Sequence, residues 1–116
     1  MHAALLAGHG FIPAPVIVEF RRVTALVRNQ PDPLVESLLG DFMRAGVTVL
    51  PFDVACADAA AAANLRYGSG NGRGGPLNLL DLMVYGAAKA TGLPILCAGK
   101  DFAATDAILH PASRRD

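Results

Sequence analysis

The chain has 116 residues, of which 53% are hydrophobic and 17% are charged, with ten basic and ten acidic side chains. This balance suits one folded domain, and it excludes a disordered chain and a protein that binds nucleic acid through bulk positive charge. No apolar run is long enough for a transmembrane helix, and the first residues lack the basic region of a signal peptide. We therefore expect a single domain over residues 1–116, in the cytoplasm, with Cys56 and Cys97 as buried free thiols.

The first third of the chain predicts helices around one short strand. Residues 2–7 are typical of the end of a helix, and residues 11–14 of a buried strand. A helix should follow from Pro15, which suits a first helical turn, to about Asn29. Its predicted apolar stripe consists of Val16, Phe20, Val23 and Val27.

A second helix is predicted over residues 33–44, and its inward-facing side chains are expected to be Leu34, Leu38 and Phe42. The β-branched run at residues 47–52 predicts the next strand. Asp53 is a plausible N-cap for an alanine-rich helix that should extend to Tyr67.

The last third of the chain predicts a loop, a helix and a strand. Glycines crowd residues 68–75, and the following helix should span residues 77–91 and end at Gly92. Residues 93–98 form a short apolar run that predicts a third strand, followed by a turn at residues 101–106. Helices that alternate with short apolar strands indicate an α/β fold with a largely parallel sheet.

Two aspartates in this region are candidate site residues. Asp81 lies in the first turn of the late helix, where Asn78 and Asp81 have the spacing of a capping box, so it is either a helix cap or a ligand. Asp101 follows the predicted third strand, where it either caps the next turn or lines the crevice at the strand ends. Two carboxylates that meet in such a crevice could hold Mg²⁺.

Two further features have competing interpretations. Glu19 lies among apolar residues of the first predicted helix, and it either pairs with Arg22 or joins the site. The glycines at residues 70–75 fit G-x-G-x-x-G, but a dinucleotide-binding loop must follow a strand, and here a helix precedes it. A loop that touches a phosphate backbone through Arg73 fits this position better.

The chain resembles a known family most clearly in its second half. The residues that carry the resemblance are the helix of residues 77–89, the run at 93–96, the segment at 99–106 and the Arg-Tyr-Gly of residues 66–68. They resemble the C-terminal half of a PIN domain and, more closely, the VapC toxins of bacterial toxin–antitoxin pairs. Glu19 also matches the family pattern, because it lies in the predicted helix that follows the strand at residues 11–14.

The resemblance implies a PIN-like three-layer α/β/α fold with a mainly parallel sheet, and an RNA endonuclease that depends on Mg²⁺ or Mn²⁺. Matched by motif, Glu19, Asp81 and Asp101 would be the catalytic residues that hold the cation. An antitoxin protein and a homodimer are the implied partners. The candidate contacts to the RNA backbone are Arg21, Arg22, Arg73 and Lys100.

One part of the family pattern has no counterpart here. The family begins with a central strand that ends in Asp followed by Ser or Thr, whereas residues 11–14 match its second strand. We therefore expect an N-terminally truncated domain, from an internal start or a shortened gene. Two alternatives follow: a catalytically defective fragment that only binds the antitoxin, and a nucleotide-binding α/β domain that uses the glycine loop.

Overall fold

The computed structural model of the chain describes residues 10–26 and 29–114. Its helices and strands, in chain order, are β1 (Phe11–Pro13), α1 (Ala14–Ala25), α2 (Pro33–Arg44), β2 (Thr48–Leu50), α3 (Val54–Tyr67) and α4 (Leu79–Thr91), followed by one 3₁₀ turn (Phe102–Ala104). The predicted helix end at residues 2–7 lies outside the described residues. Within the described ranges, no helix has the length and apolar character needed to cross a membrane.

The two strands form a parallel pair, in which Phe11 lies opposite Thr48 and Pro13 lies opposite Leu50. Helices α1 and α2 make the connection between them, as parallel neighbours require a crossover. The predicted α/β architecture with parallel strands is therefore confirmed, and the fold is PIN-like in its order of elements.

The prediction of a regular third strand at residues 93–98 was wrong. Ile95 and Ala98 instead form isolated parallel bridges with Leu109 and Arg114. The reason lies in Ser113, whose hydroxyl accepts the Cys97 N–H at 3.1 Å and donates to the Ile95 carbonyl at 3.0 Å. The Ser113 side chain thus takes the Cys97 N–H that a continuous ladder would use, while the Ile95 carbonyl still accepts the His110 N–H at 2.8 Å.

Helices α3 and α4 form the closest helix pair among the described residues, and small side chains make this possible. A Cβ atom placed on Gly86 would lie 2.4 Å from the Cys56 carbonyl oxygen and 2.9 Å from the Ala60 Cβ atom. Only glycine can occupy position 86 at this helix separation, because a Cβ atom there would overlap with atoms of α3. The alanine-rich sequence of α3 therefore has a packing role.

The hydrophobic core surrounds α4. Its buried members are Ile12, Val16, Ala60, Ala63, Tyr67, Leu77, Leu82, Val84, Tyr85, Ile95, Cys97 and Phe102. Cys56 and Cys97 are buried free thiols, as predicted. The core thus joins β1, the start of α1, the α3–α4 pair and the segment that follows α4.

The predicted inward faces of α1 and α2 were partly wrong. Leu34 is 80% exposed and Leu38 is half exposed, whereas their neighbour Leu39 is buried. In α1, Val16 is buried as predicted, but Phe20 and Val23 are exposed, and Val27 lies outside the described residues. Periodicity identifies an apolar stripe, but the stripe is buried only where another element covers it.

Candidate functional site

Asp81 belongs to a complete capping box at the start of α4. Its backbone N–H donates to the Asn78 Oδ1 atom at 2.8 Å, and its Oδ2 atom accepts the Asn78 N–H at 3.3 Å. The capping interpretation of this spacing is therefore confirmed. The Asp81 residue is also only 6% exposed, so its carboxyl group lies in a mostly buried place at the N-terminal end of the helix.

Glu19 forms a two-pronged ion pair with Arg22 on α1. The Arg22 Nη2 and Nε atoms donate to the two Glu19 carboxylate oxygens at 2.9 and 3.3 Å. The hydrogen bonds and charge of Glu19 raise the pKa of the Arg22 guanidinium. The expected pairing with Arg22 is therefore confirmed, and the Glu19 carboxylate is engaged in this arrangement.

Glu19 and Arg22 line an open groove of about 720 Å³ that reaches the start of α4. The remaining lining residues are Ala14, Pro15, Val18, Phe52, Asn78, Leu79, Leu80 and Met83. Asn78 is the partner of Asp81 in the capping box, so the groove connects Glu19 with the helix end that carries Asp81. Of the three predicted site residues, Glu19 lines this concave surface, whereas Asp81 is represented there only by its capping partner Asn78.

Asp101 is exposed and comes immediately before the 3₁₀ turn. Its side chain makes no capping hydrogen bond with that turn, so the capping interpretation was wrong. The next residue, Phe102, is buried in the core. The buried Phe102 therefore fixes the backbone next to Asp101, while Asp101 itself is exposed to solvent.

The three predicted acids do not form a ready metal centre. In the part of the chain that the structure describes, no group of three or more His, Cys, Asp or Glu side chains is arranged to hold a cation. Carboxylate oxygens have the right chemistry for Mg²⁺ or Mn²⁺. However, Glu19 is paired with Arg22 and Asp81 with the backbone of α4, so this arrangement does not fit a bound cation without a change of partners.

Asp106 is a polar centre that the sequence did not reveal. Its carboxylate accepts hydrogen bonds from the Tyr85 hydroxyl and from the Lys89 Nζ atom, the latter at 3.0 Å, and its backbone N–H donates to the Tyr67 hydroxyl at 3.2 Å. The hydrogen bond from Tyr85, and then that from Lys89, lower the pKa of Asp106. Burial, and then Asp106, raise the pKa of Tyr85. Tyr85 and Lys89 lie four residues apart on one face of α4, but this spacing does not predict a partner 21 and 17 positions away.

The glycine loop is closed at its base by backbone hydrogen bonds. Ser69 N–H donates to the Leu77 carbonyl at 2.6 Å, and Leu77 N–H donates to the Tyr67 carbonyl at 2.8 Å. The Asn71 amide also binds two carbonyls at the end of α3, both at 3.3 Å. A helix precedes this loop, so it lacks the strand that a dinucleotide-binding loop needs, and Arg73 at its tip is exposed.

The family model and the curated relatives that match this chain agree with each other. The model of the PIN domain family matches residues 2–108. The chain is 41% identical over 87 residues to ribonuclease VapC42 of Mycobacterium tuberculosis, covering 73% of this chain and 63% of that protein. It is 46% identical over 63 residues to ribonuclease VapC30 of the same species, covering 54% and 47% of the two chains.

A ribonuclease VapC of Mycolicibacterium smegmatis is 44% identical over 63 residues, which cover 54% of this chain and 48% of the relative. The chain thus spans about half to just under two thirds of the length of the curated relatives it matches. No solved structure matches the chain.

Proposed function

The chain belongs to the PIN domain family, and we propose that it carries the nuclease site of a VapC-type toxin that hydrolyses phosphodiester bonds in RNA. The observation that carries this proposal is the open groove that Glu19 lines, which reaches the start of α4 at Asn78, the capping partner of the buried Asp81. A nuclease needs carboxylates next to an open surface that a nucleic acid strand can enter, and this end of α4 offers both. The relatives named ribonuclease support the same reaction.

We propose Glu19, Asp81 and Asp101 as the acidic site and Mg²⁺ or Mn²⁺ as its cofactor. All three supply the hard oxygen ligands that these cations prefer. Glu19 would have to exchange Arg22 for the cation, since both of its oxygens accept hydrogen bonds from that guanidinium. Water screens an exposed ion pair of this kind and can replace either partner, so the exchange costs little free energy.

The RNA backbone is proposed to contact four exposed cations around this site. Arg22 lines the groove itself, and Arg73 stands on the closed glycine loop that leads into α4. Arg21 and Lys100 are the other two. Because the chain has no net charge, binding would depend on this local group and should weaken strongly with salt.

The proposed protein partners are a cognate antitoxin and a second copy of the chain, in the cytoplasm. Exposed apolar side chains on α1, at its C-cap and on α2 support a protein interface there: Val18, Val23, Leu26, Leu34 and Leu38. Apolar side chains concentrated on neighbouring elements are typical of surfaces that another protein covers.

Cleavage of a labelled RNA with Mg²⁺ or Mn²⁺, with and without EDTA, tests the site. We expect Glu19→Gln, Asp81→Asn and Asp101→Asn each to abolish cleavage, while the wild type loses it only in EDTA. Asp58→Asn is the matched control, because it removes an exposed carboxylate of α3 outside the groove. Undiminished cleavage by Asp81→Asn and Asp101→Asn would overturn the assignment.

A second candidate is a module that binds the antitoxin without cutting RNA. The absence of a three-ligand group among residues 10–26 and 29–114 favours it. The two functions separate in one experiment: the binding module captures the antitoxin but cleaves nothing in either metal, and its antitoxin binding is unchanged in Asp81→Asn.

A further inference from the structure

Asp106 is held by three hydrogen bonds from two different helices. Its two carboxylate oxygens accept from Tyr85 and Lys89 of α4, and its backbone N–H donates to Tyr67 of α3. We infer that this group, the Asp106 clasp (Asp106, Tyr67, Tyr85 and Lys89), fixes the turn that carries Asp101, which makes Asp106 a positioning residue. Its consequence for catalysis rests on the function proposed above.

The helix side of the clasp is rigid. Tyr67 and Tyr85 are both buried, and their ring centroids lie 5.8 Å apart at an interplanar angle of 54°. They sit on the α3–α4 pair, whose backbones approach each other so closely at Gly86 that an added Cβ atom would lie 2.4 Å from the Cys56 carbonyl oxygen. The hydroxyl groups that bind Asp106 are therefore presented from a fixed surface.

The turn between Asp101 and Asp106 is held at both ends. Phe102 anchors its start in the core, and Asp106 anchors its end. Between them, the Thr105 hydroxyl donates to the Phe102 carbonyl at 2.6 Å and accepts the Ala107 N–H at 3.1 Å. Five residues with two anchors and an internal hydrogen bond have little freedom, so the position of Asp101 follows from the anchors.

The clasp also connects the turn to the helix face that carries Asp81. Asp81, Tyr85 and Lys89 are spaced by four residues along α4, so they lie along one face of the helix. The proposed ligand Asp81 occupies the first turn of this face, and Tyr85 and Lys89 bind Asp106 from the turns below. Helix α4 therefore positions both proposed ligands: it carries Asp81 directly, and it holds the turn of Asp101 through the clasp.

Asp106 itself is not placed to be a ligand in this arrangement. Both of its oxygens are engaged, one by a hydroxyl and one by an ammonium group, and the pair with Lys89 is charge-assisted. Without the clasp, Asp101 should therefore occupy a wider range of positions, although no group that contacts RNA has been removed. That change lowers kcat and leaves KM nearly unchanged.

Two variants test the clasp with minimal change to the core. Tyr85→Phe removes one hydroxyl and keeps the ring, and Asp106→Asn removes the charge that pairs with Lys89. Because the Asp106 side chain is half exposed, water can replace either partner, so both variants should fold. Asp41→Asn is the matched control, since it removes an exposed carboxylate that pairs with Arg44, far along the chain from the turn.

Amide hydrogen exchange by NMR gives the first readout, and steady-state kinetics of RNA cleavage the second. We expect exchange of the Ala104, Thr105 and Ala107 amides to rise about tenfold in Tyr85→Phe and Asp106→Asn, and not in Asp41→Asn. We expect kcat to fall about tenfold in the same two variants with KM changed less than twofold.

The outcomes separate the clasp from the proposed reaction. Unchanged exchange in both clasp variants overturns the inference, and faster exchange with unchanged kcat reduces the clasp to a structural contact without a positioning role. If the wild-type chain cleaves no RNA, the proposed function fails, whereas the exchange comparison still decides whether Asp106 fixes the turn.

Discussion

Asn78 and Asp81 cap each other's backbone at the start of α4: each side chain accepts the N–H of the other residue, at 2.8 and 3.3 Å. The residue that the family resemblance marks as a ligand is therefore also part of the helix cap. Any substitution at Asp81 acts on both roles, so the cap must be measured separately through Asn78.

Asn78→Ala should destabilise the domain without touching a proposed ligand. It removes the acceptor of the Asp81 N–H, and loss of an N-cap costs about 1 kcal/mol, or ~4 °C in melting temperature. Thermal unfolding by circular dichroism measures the shift. Ser37→Ala, at an exposed position in α2, is the control and should not lower the melting temperature, because alanine is the better helix former. Equal shifts in both would mean that the cap contributes nothing.

Gly86→Ala should destabilise the α3–α4 contact although alanine is the better helix former. The added methyl group would meet the Cys56 carbonyl at 2.4 Å, and forcing the helices apart costs about 1–3 kcal/mol. Urea unfolding gives the change in the free energy of unfolding.

Gly40→Ala supplies the matched control for that experiment. A methyl group on Gly40 meets the end of the flexible Arg44 side chain at 3.4 Å, so the variant should be unchanged or up to about 1 kcal/mol more stable. Similar effects of the two substitutions would contradict the close packing at Gly86.

Local sequence chemistry predicted the helix ends well. Asp53 caps α3 by accepting the Cys56 N–H, Asn78 and Asp81 cap α4, and Gly92 ends it with a φ of 73°. Each of these features depends on residues within four positions of one another, so the pattern carries the geometry.

Features that depend on distant neighbours were missed. The exposure of Leu34 depends on whether another element covers α2, and residues 93–98 lost their regular ladder to the hydroxyl of Ser113. Likewise, Asp106 binds Tyr85 across 21 positions, which spacing does not reveal. The acids at 19, 81 and 101 were placed by resemblance, and their joint action stays a prediction.

The Asp106 clasp should make stability depend on pH in the acid range. The hydrogen bond from Tyr85 and the pairing with Lys89 lower the pKa of Asp106 in the folded chain. A lowered folded-state pKa stabilises the fold at pH values above the unfolded pKa of about 4, and this contribution is lost as the pH falls through the folded pKa. Asp106→Asn should therefore be less stable than the wild type at pH 7, with a smaller difference below pH 4.

Urea midpoints from pH 7 to pH 2.5 measure that difference. Asp58→Asn, which removes an exposed carboxylate of α3 outside the clasp, is the control. A gap between wild type and Asp106→Asn that stays constant over the whole range would show that the charge of Asp106 does not stabilise the fold.

Arg22 should compete with a divalent cation for Glu19. The guanidinium binds both carboxylate oxygens, but the pair is exposed, with side chains 61% and 28% accessible, so solvent weakens it and its loss should change cation affinity only a few-fold. Arg22→Gln should therefore bind Mn²⁺ about two- to fivefold more tightly in calorimetric titration. Arg21→Gln is the control, because it removes the same charge from the same helix but Arg21 pairs with Glu36. An equal or larger gain in Mn²⁺ affinity in Arg21→Gln would assign the effect to net charge and not to Glu19. Weaker Mn²⁺ binding by Arg22→Gln would place the cation away from Glu19.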